Sequence, residues 1–585
     1  MIINSAKVVV KPLMPWRRIS LLLVFLAAIA VLLGRALDMQ ILHSEFFERQ
    51  GDARQLRVVS IPAHRGQIVD RNGEPFAVST PVNSIWINPG EAVSALDSIP
   101  ELAKALSMDA KALKKKIQAN QSREFMYLKR HASPELAEKV MALNVPGLAL
   151  QDEYRRYYPT GEVAAHVIGF SNIDDNGQEG IELAFNDWLK GEAGKKRVIR
   201  DRLGRAIDDV EHIRSVEPGK PVVLSLDRRL QYLTYRTLKA AVIKHNAIAG
   251  SAVVLDVKSG EVLAMVNQPS FNVNDRSQLR PEATRNRSVT DVFEPGSTMK
   301  PLTMAAALDS GIWSPSTKIN TAPGYMKVQG NMIRDHRNYG ELDVSGVIAK
   351  SSNVGISKIV LAIDADEQWG MYQKLGLGAD TGSGFPGEAT GRLSVSALHN
   401  DFERASMAFG YGVSVTPMQL ARAYSALAAD GVLKPVSFLY HDNKVADEGE
   451  RVMSVKTAQA VRKMMQRVVS DEGTGSRAQV ANYSVAGKTG TVHKFVAGGY
   501  AEERYLSIFA GMVPADSPEL VMVVMIDEPR NGEYFGGEVA APVFSQVMAG
   551  AMRLLDVAPD RVSGKQLVMS PDVKLKQADH KGGHV

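Results

Sequence analysis

Three short groups of residues have the types and spacing that acyl transfer needs. The first lies in Asp291-Val-Phe-Glu-Pro-Gly-Ser-Thr-Met-Lys300. Pro295-Gly296 reads as a sharp turn and Thr303–Asp309 as helix, so Ser297 and Lys300, at i and i+3, share one face of the opening turn. A serine hydroxyl is a weak nucleophile and needs a neighbouring base. A lysine amine serves once burial or a second cation strips its proton. A helix start also offers backbone N–H groups to an oxyanion. Alone, the pair reads better as a helix cap followed by an exposed lysine.

The second group is Ser351-Ser352-Asn353, just after the helix-like Gly346–Lys350. A hydroxyl and an amide two residues apart suit a proton relay and a grip on a substrate amide. Alone it is equally a turn cluster, and Ser270-Phe271-Asn272 matches the same pattern. The third group, Lys488-Thr489-Gly490-Thr491, enters a strand. Its lysine and hydroxyls suit a carboxylate, and Gly490 leaves room for a peptide backbone to pair along the strand edge. Lys258-Ser259-Gly260 is a rival match that reads as a hairpin turn. A phosphate loop is excluded because position 482 is Asn482 rather than glycine. Ser-x-x-Lys, Ser-x-Asn and Lys-Thr-Gly in this order are specific where each part is weak, and both rival matches precede Ser297.

The elements that must position these groups can be read around them. Val222–Leu226 reads as a strand and Arg228–Asn246 as an amphipathic helix. Gly250–Val257 and Glu261–Asn267 form a strand pair. Alanine-rich helices follow to about residue 470, then strands at Tyr483–Val496, Tyr505–Met512 and Leu520–Ile526, and a last helix at Gly537–Leu555. This order predicts an antiparallel sheet between helical layers, in the α+β class. Residues 44–218 are mixed and assemble no catalytic set. They contain the turn Asp70-Arg71-Asn72-Gly73 and a helix-like stretch, Glu101–Asn120, whose Lys114–Lys116 run reads as a solvated face.

Ile19–Gly34 carries no charge, and Trp16 and Arg35 can extend it to the ~20 residues a membrane span requires. Lys7, Lys11, Arg17 and Arg18 precede it, and Asp38, Glu45 and Glu48 follow. The positive-inside rule therefore puts the N-terminus in the cytoplasm and everything after residue 40 outside. A cleaved signal peptide competes through Ala28-Ile29-Ala30, but apolar residues run on to Leu33 and favour an uncleaved anchor. The expected organisation is a cytoplasmic segment 1–18, an anchor 19–40, a non-catalytic domain 44–218, a catalytic domain 219–565 and a polar tail 566–585. A net charge of +5, spread evenly, does not argue for nucleic acid. The absence of cysteine removes disulfides, thiol catalysis and Cys-ligated zinc, and the 12 histidines show no ligand spacing, so no metal or cofactor is expected.

The chain resembles the class B penicillin-binding proteins, and within them the septal cell-division transpeptidases. The resemblance rests on the three groups above, on Arg65-Gly66, Asp70–Gly73, Arg156–Gly161 with His166, Gly180–Glu182, Ser351–Gly355 and Phe409-Gly-Tyr-Gly412. It implies a pedestal domain followed by a penicillin-recognising transpeptidase domain. It implies a peptidoglycan stem peptide ending in D-Ala-D-Ala as donor, β-lactams as inhibitors, and an FtsW-type glycan polymerase with other divisome proteins as partners. Ser297 would be the nucleophile, Lys300 its base, Ser351 a proton shuttle and Asn353 a substrate anchor. Lys488, Thr489, Gly490 and Thr491 would form the substrate-binding strand, with the N–H groups of Ser297 and Thr491 as oxyanion hole. Three other readings share the first step or the fold. A β-lactamase or carboxypeptidase sends water to the acyl-enzyme, but no Glu-x-x-Leu-Asn element follows Ser351. A β-lactam sensor needs a signalling module, and no His-Glu-x-x-His is present. A scaffold with a dead site sits poorly with intact motifs.

Overall fold

The computed structural model describes residues 15–43, 45–46, 56–200, 206–277, 279–442, 448–496 and 499–561. Lys7, Lys11, Glu48 and the tail expected at 566–585 lie outside the described residues. The chain divides into two compact units. One holds Met1–Ala63, Pro81–Tyr154 and Glu192–Pro218; the other holds His64–Thr80, Arg155–Gly191 and Gly219–Val585. The division therefore does not follow one cut near residue 218, because two stretches of the expected pedestal pack into the catalytic unit.

In the first unit, Pro15–Leu37 is a 23-residue helix. At 1.5 Å per residue it is about 35 Å long, enough for a bilayer core. Trp16–Ile41 has a mean hydropathy of 2.5 and none of it is buried within the chain, so it is a candidate membrane span. After Leu37 the α-helix widens into one π-turn, Asp38–Leu42. Asp38 collects Arg35 and His43, each at 2.8 Å. Further on, Ile99–Leu106 and Ala110–Ala119 are two helices rather than one. Ser107 ends the first in a left-handed conformation (φ 57°), and the Asp109 carboxylate caps the second. Ile99, Leu102, Leu106, Leu113 and Ile117 face Ile85 and Ile87 of the Pro75–Ile87 strand, while Lys115 and Lys116 face solvent. The Gly194–Arg200 strand lies between Leu56–Ile61 and Ala206–Arg214 in a separate antiparallel sheet.

The second unit is built on a five-stranded antiparallel sheet. Its spatial order is Val262–Gln268, Ala249–Asp256, Leu520–Asp527, Gly499–Val513 and Ala486–Val496. Side chains alternate between two cores, which is why the strands read as unbroken apolar runs. Ala252, Val254, Met522 and Val524 pack with Leu230 and Leu238 of helix Arg228–Lys244 and Phe544 and Val547 of helix Ala541–Leu554. Val253, Leu255, Val521 and Val523 pack with Leu420 and Leu427 of helix Pro417–Ala428 and Met465 of helix Val455–Val469. Each such side chain stabilises the fold by roughly 1.5–3 kcal/mol. The fold class is the expected one, a sheet between helical layers. The stretch expected to be wholly helical contains two small antiparallel ribbons: Lys318–Asn320 with Glu341–Asp343, and Tyr325–Val328 with Asn331–Arg334.

The early segments of this unit are held by a buried ionic knot. Glu182 receives Arg65 Nε at 2.7 Å and Arg156 Nε at 2.6 Å, and none of the three charged groups is appreciably exposed. Arg65 also donates to the backbone oxygens of Asp175 and Glu182. The Asp70–Gly73 turn docks on a helix start: Asp70 accepts from the amides of Asn72, Glu74 and Arg228.

Candidate active site

Ser297 sits where three backbone segments meet. Pro295 and Gly296 (φ 53°) turn the chain into a 3-10 turn, Gly296–Met299, which leads into the α-helix Lys300–Asp309. In a 3-10 turn side chains at i and i+3 eclipse one another, which places Ser297 over Lys300. The turn is pressed against the Phe409–Gly412 segment. Gly296 N donates to Gly410 O (3.1 Å), and a Cβ on Gly410 would lie 2.2 Å from Gly296 O. The buried Tyr424 hydroxyl donates to Thr298 O at 2.6 Å, fixing the turn from beneath.

Lys300 is fully buried. Its Nζ lies 2.6 Å from Ser351 O, 2.7 Å from Asn353 Oδ1 and 3.1 Å from Ser351 Oγ. The two short contacts go to oxygens that can only accept, so they use both N–H groups of a neutral amine. The lone pair then remains for a hydroxyl. Burial, reinforced by the Lys488 cation and opposed by Asp335, holds the Lys300 amine well below the usual lysine range. Burial brings the Lys488 amine down to about 7. Lys488 donates to Thr489 O at 3.2 Å.

The Ser351–Asn353 turn depends on a residue with no signal in the sequence. Helix Val344–Lys350 ends at Ser351 in a left-handed conformation (φ 60°), and Ser352 caps the following helix Asn353–Val360. Asp335 fixes this reversal, accepting from Ser352 Oγ (2.6 Å) and from the amides of Asn353 (2.5 Å) and Val354 (2.9 Å). Asn353 Nδ2 donates to Arg334 O at 3.0 Å. Asp335 follows the second ribbon in a stretch rich in asparagine and glycine, and only the fold brings it to Ser352.

The third group lies on Ala486–Val496, the edge strand of the sheet. A Cβ on Gly490 would sit 3.1 Å from both Pro295 O and Thr298 Cγ2, so the glycine lets this strand cross the Ser297 turn closely. Thr491 Oγ1 accepts from Gly536 N (2.9 Å), and Thr489 Oγ1 pairs with Thr474 Oγ1 (2.8 Å). Ser297, Ser351, Asn353, Thr489 and Thr491 line one cavity of about 720 Å³. Sequence reasoning missed its aromatic wall. Tyr505 stacks on Tyr534 at 4.3 Å, and Tyr534 meets Phe535 at 4.4 Å. His493 lines the cavity and its Nδ1 is 2.9 Å from Ala501 O. The rival matches have structural duties: Lys258 pairs with Glu519 on the surface, and Ser270 Oγ donates to Glu162 O.

This arrangement can form a serine ester: a hydroxyl on a cavity wall, a buried amine of lowered pKa beneath it, a hydroxyl and amide beside it, and a strand edge with hydroxyls opposite. Comparison with known proteins agrees. Residues 250–549 match the family described as penicillin binding protein transpeptidase domain, and 60–224 the penicillin-binding protein dimerisation domain. The chain is 43% identical over 94% of its length to a probable peptidoglycan D,D-transpeptidase, PbpC, of Pseudomonas aeruginosa, covering 98% of that protein. It is 42% identical over 94% of its length to the peptidoglycan D,D-transpeptidase FtsI of Escherichia coli, covering 93% of it. Among solved structures it is similar to the transpeptidase domain of Burkholderia pseudomallei penicillin-binding protein 3. There the identity is 44%, with 58% of this chain and 98% of that one covered and a TM-score of 0.54.

Proposed function

The chain belongs to the penicillin-binding protein transpeptidase family, and from that premise we propose that it cross-links peptidoglycan stem peptides through an acyl-Ser297 intermediate. The neutral Lys300 amine accepts the Ser297 proton. Oγ adds to the penultimate carbonyl of a donor ending in D-Ala-D-Ala. The backbone N–H groups of Ser297 and Thr491 receive the oxyanion. As the peptide bond breaks, Ser351 passes a proton to the departing D-Ala amine. Lys488, Thr489 and Thr491 hold the terminal carboxylate, Gly490 admits the donor backbone and Asn353 holds its amide. An amine of a second stem peptide then attacks the ester carbonyl. The C–N bond forms, the C–Oγ bond breaks, and the amine's proton returns to Ser297 through the Lys300–Ser351 pair. A β-lactam acylates the same oxygen.

The single observation carrying this reading is the buried Lys300 amine. It is hydrogen-bonded to Ser351 and Asn353 one turn below Ser297, with Lys488 as a second buried lysine that depresses its pKa. The Pro15–Leu37 helix supports a single-pass anchor in the inner membrane, with the N-terminus cytoplasmic and the catalytic unit in the periplasm. The likeness to FtsI supports a septal role beside a glycan polymerase of the divisome. Mass spectrometry of the penicillin-treated protein tests the core of the proposal. The adduct is expected on Ser297 and absent from Ser297→Ala; an adduct on any other residue refutes the assignment.

A further inference from the structure

A second cavity of about 570 Å³ adjoins the catalytic one and shares three of its wall residues, Asn353, Phe409 and Tyr411. We propose that this cavity seats the acceptor: an amine-bearing wall peptide whose free carboxylates are met by Arg334 and Arg392. The inference rests on the transpeptidase reading above and extends it to the second half-reaction.

The lining has the chemistry of a peptide site. Its floor is apolar, with Ile333, Ala397 and Met407 buried, and suits the methyl groups of short wall-peptide residues. Arg334 and Arg392 stand exposed on its wall, and among the described residues neither has a carboxylate partner. Other arginines of the unit, such as Arg65, Arg156 and Arg462, are paired with carboxylates. The one carboxylate on the lining, Glu403, accepts from Ser396 Oγ at 2.5 Å. Two unpaired guanidinium groups over an apolar floor select a ligand that is apolar along its body and anionic at its ends.

The position fits the reaction sequence. In the proposed mechanism the donor carboxylate occupies the Lys488–Thr491 side of the catalytic cavity. The acceptor amine needs a separate approach to the ester carbonyl, together with a group to take its proton. Asn353 forms the partition. Its Oδ1 meets Lys300 within the catalytic cavity, and its Nδ2 meets the backbone oxygen of Arg334 on the adjoining wall. An amine reaching past Asn353 therefore arrives beside Lys300 and Ser351. Tyr500 also lines this cavity, its hydroxyl donating to Glu294 at 3.0 Å, while Gly412 N donates to the same carboxylate at 2.8 Å. The amine nitrogen displaces Ser297 Oγ from the carbonyl, and the proton it loses is the one Oγ regains.

The test uses the full-length protein in detergent, an N-acyl-D-alanyl thioester as donor, and two acceptors: an amine-bearing wall peptide with free carboxylates and the same peptide amidated. Fluorescent penicillin measures the donor half-reaction separately. In the Arg334→Gln/Arg392→Gln double variant, the ratio of transfer to hydrolysis is expected to fall at least tenfold with the free-carboxylate acceptor, while penicillin acylation stays within threefold. The native chain should prefer the free-carboxylate acceptor at least fivefold, and the double variant should lose that preference. An unchanged transfer ratio, or no preference in the native chain, overturns the proposal. So does a parallel loss of acylation and transfer, which would assign the arginines to the donor half or to folding. Failure of the native chain to acylate at Ser297 instead sinks the transpeptidase reading itself.

Discussion

Lys300 Nζ lies 2.7 Å from Asn353 Oδ1, and this contact joins the first and second motifs into one proton-handling unit. An amide oxygen can only accept, so Lys300 must spend an N–H on it. With a second N–H committed to Ser351 O, the neutral amine keeps its lone pair for a hydroxyl. The pairing thus favours the basic form of a lysine whose pKa burial already holds well below the usual range.

Lys300→Arg preserves the charge but not the chemistry. A guanidinium stays protonated and cannot accept the Ser297 proton, and its planar fork does not fit a site shaped for a single nitrogen. The second-order rate of penicillin acylation is expected to fall by about 10²–10⁴, the range that general-base catalysis supplies. A stopped-flow or gel assay that found near-native acylation would rule out a neutral-amine base.

Lys488 sets a pH dependence of both activity and stability. Its pKa is about 7, and above that pH the cation offered to a substrate carboxylate is lost. Acylation by a carboxylate-bearing penicillin should therefore decline above pH 7, and a rate that climbs to pH 9 would contradict this. For stability, the folded pKa lies below the usual 10.5, so the unfolded chain takes the proton first as pH falls. The contribution is full above the unfolded pKa and is lost between about 10.5 and about 7. Lys488→Met should remove this loss and gain on the order of 3 kcal/mol at pH 6 relative to pH 10. Denaturant titrations at the two pH values measure it.

Asp335 is a positioning residue whose removal acts through Ser352 and Asn353. Asp335→Asn replaces one of its accepting oxygens by a donor, which would face the Ser352 hydroxyl or the Asn353 and Val354 amides. The Ser351 turn is already in a left-handed conformation and should relax. Acylation should fall about 10–100-fold at saturating penicillin. Because Asp335 raises the Lys300 pKa, its loss should also move the rising limb of the pH–rate profile to lower pH. A purely structural defect would lower the rate without moving that limb.

What could be read in the sequence divides along one physical line. Ser297 with Lys300, Ser351 with Asn353, and Thr489 with Thr491 are local pairs, so their spacing alone shows that they can act together. The structure brings Ser297, Ser351, Asn353, Thr489 and Thr491 to one cavity with Lys300 and Lys488 buried in the same unit. The sheet was legible because strands such as Leu520–Asp527 are apolar on both faces. Asp335 and Tyr424 were not, since their value lies in contacts made 17 and 126 residues away. The ribbons at 318–343 were missed because three- and four-residue strands are too short to show a period. The break at Ser107 was missed because serine carries little of glycine's signal for a left-handed cap.

Glu182 gives the sharpest stability prediction. It is fully buried between Arg65 and Arg156, and two guanidinium groups share its carboxylate. Glu182→Gln removes the only anion of the knot and leaves two cations facing an amide in a dry site. Breaking a buried pair in this way costs roughly 3–5 kcal/mol. Replacing all three by apolar residues of similar volume should cost less than the single change, because no charge is then left without a partner. The backbone carbonyls of Asp175 and Glu182, which accept from Arg65, limit that recovery. Thermal or urea unfolding of Glu182→Gln and of the triple variant Arg65→Met/Arg156→Met/Glu182→Leu measures the order. A triple variant less stable than Glu182→Gln would show that the knot contributes through its hydrogen bonds to the backbone rather than through charge balance.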